Sequence, residues 1–168
     1  MNTKSMIHIK FSSGIYTLSV KQKLAIPINH AWQFFSSPKN LALITPPELG
    51  FVITSGMPDD MYAGQIISYQ VSPLAGFRTN WVSEITQVHH EKYFVDEQRI
   101  GPYKMWHHEH HFKSVSDGII MEDKVSYQLP LGLIGRFAHF LFVEKQLRNI
   151  FRFRAEKLHT LFGCPNES

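Results

Sequence analysis

The chain has 168 residues, 43% of them hydrophobic and 13% aromatic, with 17 Lys and Arg against 14 Asp and Glu and a formal charge of +3. That length suits one domain with one core, able to remove roughly 70% of the unfolded surface from water. The absence of any basic run excludes a nucleic-acid footprint, the absence of an apolar stretch of about 20 residues excludes a membrane span, and a single cysteine, Cys164, excludes an internal disulfide and fits a reducing, cytoplasmic setting.

Residues 1–13 read as a leader without the apolar run of a signal peptide. Over residues 15–26, Tyr16, Leu18, Val20, Leu24 and Ile26 share one parity and Thr17, Ser19, Lys21 and Lys23 the other. This is a half-buried strand with Gln22 out of pattern. Pro27 ends it, and Asn29 is the expected N-cap of a short helix carrying Ala31, Trp32, Phe34 and Phe35. A second short helical piece, residues 39–44, runs into the stiff Thr45-Pro46-Pro47 corner. Residues 51–55 and 64–72 read as strands, separated by a loop at Met57-Pro58-Asp59-Asp60. After a turn from Pro73 to Gly76, residues 77–88 form a long strand with Phe77, Trp81 and Ile85 on one face.

Residues 94–112 read FVDEQRIGPYKMWHHEHHF, two strand-like runs joined by Gly101-Pro102. Side chains of one parity share a strand face. The even positions are Phe94, Asp96, Gln98 and Ile100 in the first run, and Trp106, His108, His110 and Phe112 in the second. Each set has apolar ends and a polar middle. The last strand, residues 119–129, turns Ile119, Met121, Val125, Tyr127 and Leu129 inward, and Asp123 falls on that same apolar parity. A long helix over residues 133–162 follows. Its apolar stripe holds Leu133, Phe137, Phe140, Leu147, Phe151, Ala155, Leu158 and Phe162, with Glu144 in its middle.

Consecutive strands with short turns make an antiparallel meander, and only the long helix is big enough to cover its apolar face. The expected fold is α+β: a curved antiparallel sheet of about seven strands around a long C-terminal helix, with two short helices after the first strand and a cavity between sheet and helix. The phrases Phe94-Val95-Asp96-Glu97-Gln98, Gly101-Pro102, Trp106-His107-His108-Glu109-His110 and Asp123-x-Val125-x-Tyr127-x-Leu129-Pro130 resemble a bacterial branch of the START-like, or SRPBCC, superfamily. Its members are known mostly as ligand-binding or polyketide-cyclase/dehydrase-like domains. The resemblance covers residues 14–163, taken as a single domain, and implies the helix-grip fold. The superfamily hosts carriers, receptors and enzymes alike, so it does not fix the activity.

Buried charges must be paired, hydrogen-bonded or met by a ligand. The inward Asp96, Gln98, His108, His110, Asp123 and Glu144 therefore form a satisfied internal network, orient a ligand's polar end, or do acid/base chemistry with His108, His110 and Asp123 as the catalytic candidates. A metal held by His108-x-His110 and a carboxylate is a further reading. No metal or cofactor is assigned. The expected occupant is a small hydrophobic or amphipathic molecule against Trp81, Phe94, Trp106, Phe112, Tyr127 and Phe140. The alternatives are a cyclase/dehydratase-type enzyme and a non-catalytic interaction module. Phe142 and Phe153, off the stripe, suit a dimer contact, so monomer and homodimer both stay open.

Overall fold

A computed structural model describes residues 6–56, 60–74 and 77–163, without the side chains of residues 73, 74 and 77. Residues 57–59 of the expected loop, residues 75–76 of the expected turn, the Phe77 side chain and Cys164 lie outside the described residues. Eight strands make one antiparallel sheet: β1 (Ile7–Ser12), β2 (Ile15–Leu24), β3 (Val52–Ile53), β4 (Gln65–Leu74), β5 (Phe77–His89), β6 (Tyr93–Ile100), β7 (Met105–Val115) and β8 (Gly118–Gln128). Their order is β1-β2-β8-β7-β6-β5-β4-β3, a meander whose last strand returns to pair with β2.

The eighth strand comes from the stretch read as a leader. Residues Ile7–Ser12 alternate half-buried and exposed before the pattern fades, and pair with β2 from Ile7↔Val20 to Ser12↔Ile15. Ser13 and Gly14 both have positive φ, 51° and 85°. A two-residue turn with both φ positive matches the twist of a hairpin, and this dipeptide was the signal that residues 1–13 were not all leader.

Two helical layers cover the inner face. The first helix, α1 (Ile28–Phe35), starts directly after Pro27, and Asn29 lies inside its first turn instead of capping it. Pro27 has the fixed φ and missing N–H that a helix start tolerates. α2 (Pro38–Leu41) and short 3-10 turns at Ala42–Ile44 and Pro47–Leu49 follow. Trp32 and Ile44 from this layer pack on Leu24, Ile85, Phe94, Phe112, Ile119 and Met121 of the sheet.

The long helix is continuous but not uniform: α3 (Gly132–Ala138), a π-helical turn (His139–Val143) and α4 (Glu144–Phe162). This overturns the phase of the expected stripe upstream of Leu147. In an unbroken α-helix, positions four apart drift by about 40° per step. The wide turn absorbs that drift, so Gly135, His139, Val143 and Leu147 share the inner side. Leu133, Phe137 and Phe140 rotate outward and are exposed. His139 anchors the turn through the Tyr127 hydroxyl at 2.8 Å and by stacking on Tyr16. Gly135 is needed at its place, because a side chain there would run into the Pro130 carbonyl oxygen. Downstream the stripe holds: Leu147, Phe151, Ala155 and Leu158 are buried. No helix among the described residues is long and apolar enough to cross a membrane.

Candidate functional site

Strand register creates the polar cluster. Asp96 on β6 stands opposite His108 on β7, and His110 stands opposite Asp123 on β8. All four face inward, so the two carboxylates flank the two imidazoles diagonally. His110 Nε2 is hydrogen-bonded to Asp96 Oδ2 at 3.0 Å, and His108 Nε2 to Asp123 Oδ1 at 3.3 Å. His110 Nδ1 lies 2.9 Å from Asp123 Oδ1 without hydrogen-bond alignment, and His108 Nδ1 lies 3.5 Å from Asp96 Oδ2. The imidazole centroids are 3.8 Å apart, and Phe94 stacks on His110 at 4.1 Å.

The electrostatics separate these groups. Burial pushes both carboxyls up, but the hydrogen bonds from the imidazoles and the nearby positive charges outweigh it. Asp96 is held below the usual carboxylate range and Asp123 well below it. Burial also works against a charged His110, and its contacts with Asp123 and Asp96 reverse the effect, so its pKa is raised. His108 is lowered, by burial and then by the charge on His110. The cluster thus favours ionised carboxylates and a proton on His110 over one on His108. Two neighbouring imidazoles of one strand face are shifted in opposite directions, a separation that acid/base chemistry can exploit.

The second positive charge comes from Arg154 on α4, which sequence reasoning missed. Its Nη1 lies 3.7 Å from Asp123 Oδ2, and its guanidinium stacks over Phe151. Arg154 is only 8% exposed. The signal was present: Arg154 is three residues after Phe151 and seven after Leu147, inside the buried stripe.

The cluster borders a cavity of about 200 Å³ between the sheet, the α1–α2 layer and α4. Of the expected ligand residues, Trp81, Phe94, Asp96, Trp106, His108 and His110 line it. Tyr69, Tyr103, Ser83 and Phe151 line it too and were not singled out. Ser83 accepts the Trp81 indole N–H at 3.1 Å and meets the Tyr69 hydroxyl at 3.2 Å, fixing both rings. Burial, aided by the Asp96 charge, keeps the Tyr69 phenol protonated.

Six expected residues do not line the cavity. Asp123 stands behind the imidazoles and orients them. Gln98 braces the β6–β7 turn, donating to the Tyr103 carbonyl at 2.7 Å and accepting from its N–H at 3.2 Å. Phe112 is core, edge-on to Trp32, and Tyr127 is core, bonded to His139. Phe140 is 78% exposed because the π-helical turn rotates it outward. Glu144 pairs with Arg148 on the half-exposed side of α4, and Arg148 donates to the Ile7 carbonyl, tying the helix to β1. His107, Glu109 and His111, on the opposite strand face, form a half-buried surface network with Glu97 and Lys124.

Asp96, His108 and His110 also offer three potential metal-ligand atoms, all within 4.8 Å of one another. Two imidazoles and one carboxylate suit a divalent transition metal. Such an ion would compete with the proton that the raised His110 favours and would face the Arg154 charge beside Asp123.

No family model matches the chain, and no curated protein matches it. Solved structures do. Protein Ms6760 from Mycobacterium smegmatis is 16% identical over 93% of this chain and 99% of its own, with a TM-score of 0.64. A protein from Arthrobacter aurescens is 9% identical over 91% of each chain, with a TM-score of 0.67. Ara h 8.0201 is 11% identical over 88% of this chain and 99% of its own, with a TM-score of 0.55. At such identities the likeness shows the fold alone: an α+β helix-grip fold, a curved antiparallel sheet around a long C-terminal helix.

Proposed function

We propose that this protein is a single START-like domain of the cytoplasm that binds a small hydrophobic or amphipathic molecule in the cavity between sheet and α4. The observation that carries the reading is the wall. Trp81, Trp106, Tyr69, Tyr103, Phe94 and Phe151 surround about 200 Å³, and Asp96, His108, His110 and Arg154 share the lining. Concave apolar sites with a few convergent polar groups are where small molecules bind. The walls would supply about 25 cal/mol per Å² of apolar surface removed from water, less the costs of association.

The test is calorimetry of the whole chain with 3-phenylpropanol, a neutral probe of the cavity's size, at several temperatures. Binding with a negative heat-capacity change, abolished when Ile150 on the cavity wall becomes Trp, supports the reading. Absence of binding by the wild-type protein contradicts it.

A second reading is a cyclase/dehydratase-type enzyme in which neutral His108 removes a proton alpha to a carbonyl and charged His110 supplies one. The opposed pKa shifts of two imidazoles beside an apolar cavity favour it. Turnover abolished in His108→Ala and His110→Ala, with ligand binding retained, identifies an enzyme. A carrier loses only part of its affinity.

A further inference from the structure

Arg154 is a buried cation with an incomplete set of partners. A guanidinium has five N–H donors and cannot be neutralised by losing a proton. Its Nε is buried and has no hydrogen-bond partner among the described residues. The nearest carboxylate oxygen is Asp123 Oδ2, at 3.7 Å from Nη1, too far for a hydrogen bond. Asp123 is also engaged elsewhere, because its Oδ1 is hydrogen-bonded to His108 Nε2 at 3.3 Å and lies 2.9 Å from His110 Nδ1. Its other contact among the described residues is the Phe151 ring, which stabilises the charge but accepts no fork of hydrogen bonds. Leaving such a group buried without acceptors is costly, and Arg154 lines the cavity.

Resting on the reading of the cavity as a ligand site, we propose that its ligand is a small monocarboxylic acid, with the carboxylate held by Arg154 and the apolar body against the aromatic walls. A carboxylate is planar and matches the guanidinium fork with two parallel hydrogen bonds. His110 and Arg154 offset Asp96 and Asp123, so the site has no surplus positive charge; a monoanion is held through the guanidinium N–H groups that lack acceptors, and a dianion would meet both carboxylates with no further cation beside it among the described residues. Asp96 Oδ2, on the carboxylate that lines the cavity, is held by His110 at 3.0 Å. The volume bounds the body: a cavity of about 150 Å³ accepts benzene, so about 200 Å³ suits a ring with a short chain.

The experiment is calorimetry at pH 7 with three probes of one shape: 3-phenylpropionate, 3-phenylpropanol and 3-phenylpropylamine. The expected order is acid, alcohol, amine, with the acid about tenfold or more tighter than the alcohol, as charged hydrogen bonds in a dry site require. In Arg154→Met the acid falls to the level of the alcohol, while the alcohol keeps its wild-type affinity within about threefold. Arg154→Lys retains charge without the fork and falls between. An acid no tighter than a still-binding alcohol overturns the head-group assignment and leaves the ligand cavity standing. An acid that binds Arg154→Met as tightly as wild type also overturns it. Failure of all three probes overturns the cavity reading, and the head-group assignment with it. If the Met variant does not fold, the wild-type series and the Lys variant decide alone.

Discussion

His110 should give the protein a stability that falls on the alkaline side of neutrality, and removing His110 should remove that fall. Unfolded, both imidazoles of the cluster titrate near about 6.5. Folded, His110 is raised by its contacts with Asp123 and Asp96 against the opposing effect of burial, and His108 is lowered by burial and by His110. Below about pH 6.5 the unfolded chain takes up protons at both positions while the folded protein binds the His108 proton less readily, so stability rises with pH. His139, lowered by burial, steepens this acid limb. Above that point the folded His110 keeps a proton the unfolded chain has released, so stability falls until His110 itself titrates. One proton gives a limiting slope of about 1.4 kcal/mol per pH unit. For a chain of this length that is about 3–5 °C in Tm per unit. Urea unfolding of chelator-treated protein, followed by circular dichroism from pH 5 to 9, measures both limbs. In His110→Gln the alkaline limb disappears, and the acid limb shrinks because His108 loses the charge beside it. A wild-type stability that is flat or rising between pH 6.5 and 8.5, or an unchanged fall in His110→Gln, refutes the assignment of the proton to His110.

Four further outcomes follow from single contacts. Asp123→Ala leaves two imidazoles and Arg154 without their shared carboxylate and destabilises by about 3–5 kcal/mol, as breaking a buried ion pair does, read from urea midpoints. Tyr127→Phe leaves buried His139 without its hydroxyl and costs about 1–3 kcal/mol in the same assay. Gln98→Ala loses both bonds to Tyr103 and costs about 1–3 kcal/mol, yet ligand affinity measured by calorimetry stays within about threefold because Gln98 does not line the cavity. Gly135→Val drives a side chain into the Pro130 carbonyl and undocks the π-helical turn, so Tyr127 and His139 lose amide protection in hydrogen exchange before α4 does.

The sheet was legible because period-two alternation is a strong signal where one face is buried. It placed Asp96, His108, His110 and Asp123 on the inner face, and strand register brought them together. The first strand hid because Ile7–Ser12 is a mostly exposed edge, and its clearest mark was the Ser13-Gly14 turn. Helical phase was less secure. A stripe drawn at a constant angle carried Phe140 inward, and one π-helical turn sent it to the surface. The same stripe flagged Glu144 as an odd charge when the buried charge was Arg154, ten residues on. Parity also says which face a strand residue takes, not how deep it lies along the strand. That is why Phe112 and Tyr127 proved to be core and Gln98 a turn brace, although all three were correctly placed inward.

The three tryptophans provide the most direct test of a ligand-binding cavity. Trp81 and Trp106 line it, while Trp32 packs under α1 among His90, Phe94 and Phe112 and does not. The indole N–H resonances of 15N-labelled protein should be assigned by substitution and followed during titration with 3-phenylpropionate. A ligand seated in the cavity gives saturable shifts of the Trp81 and Trp106 signals at one equivalent, with Trp32 nearly still. Signals of Trp81 and Trp106 that stay in place at saturating probe, or that move no more than Trp32, contradict a ligand-binding cavity.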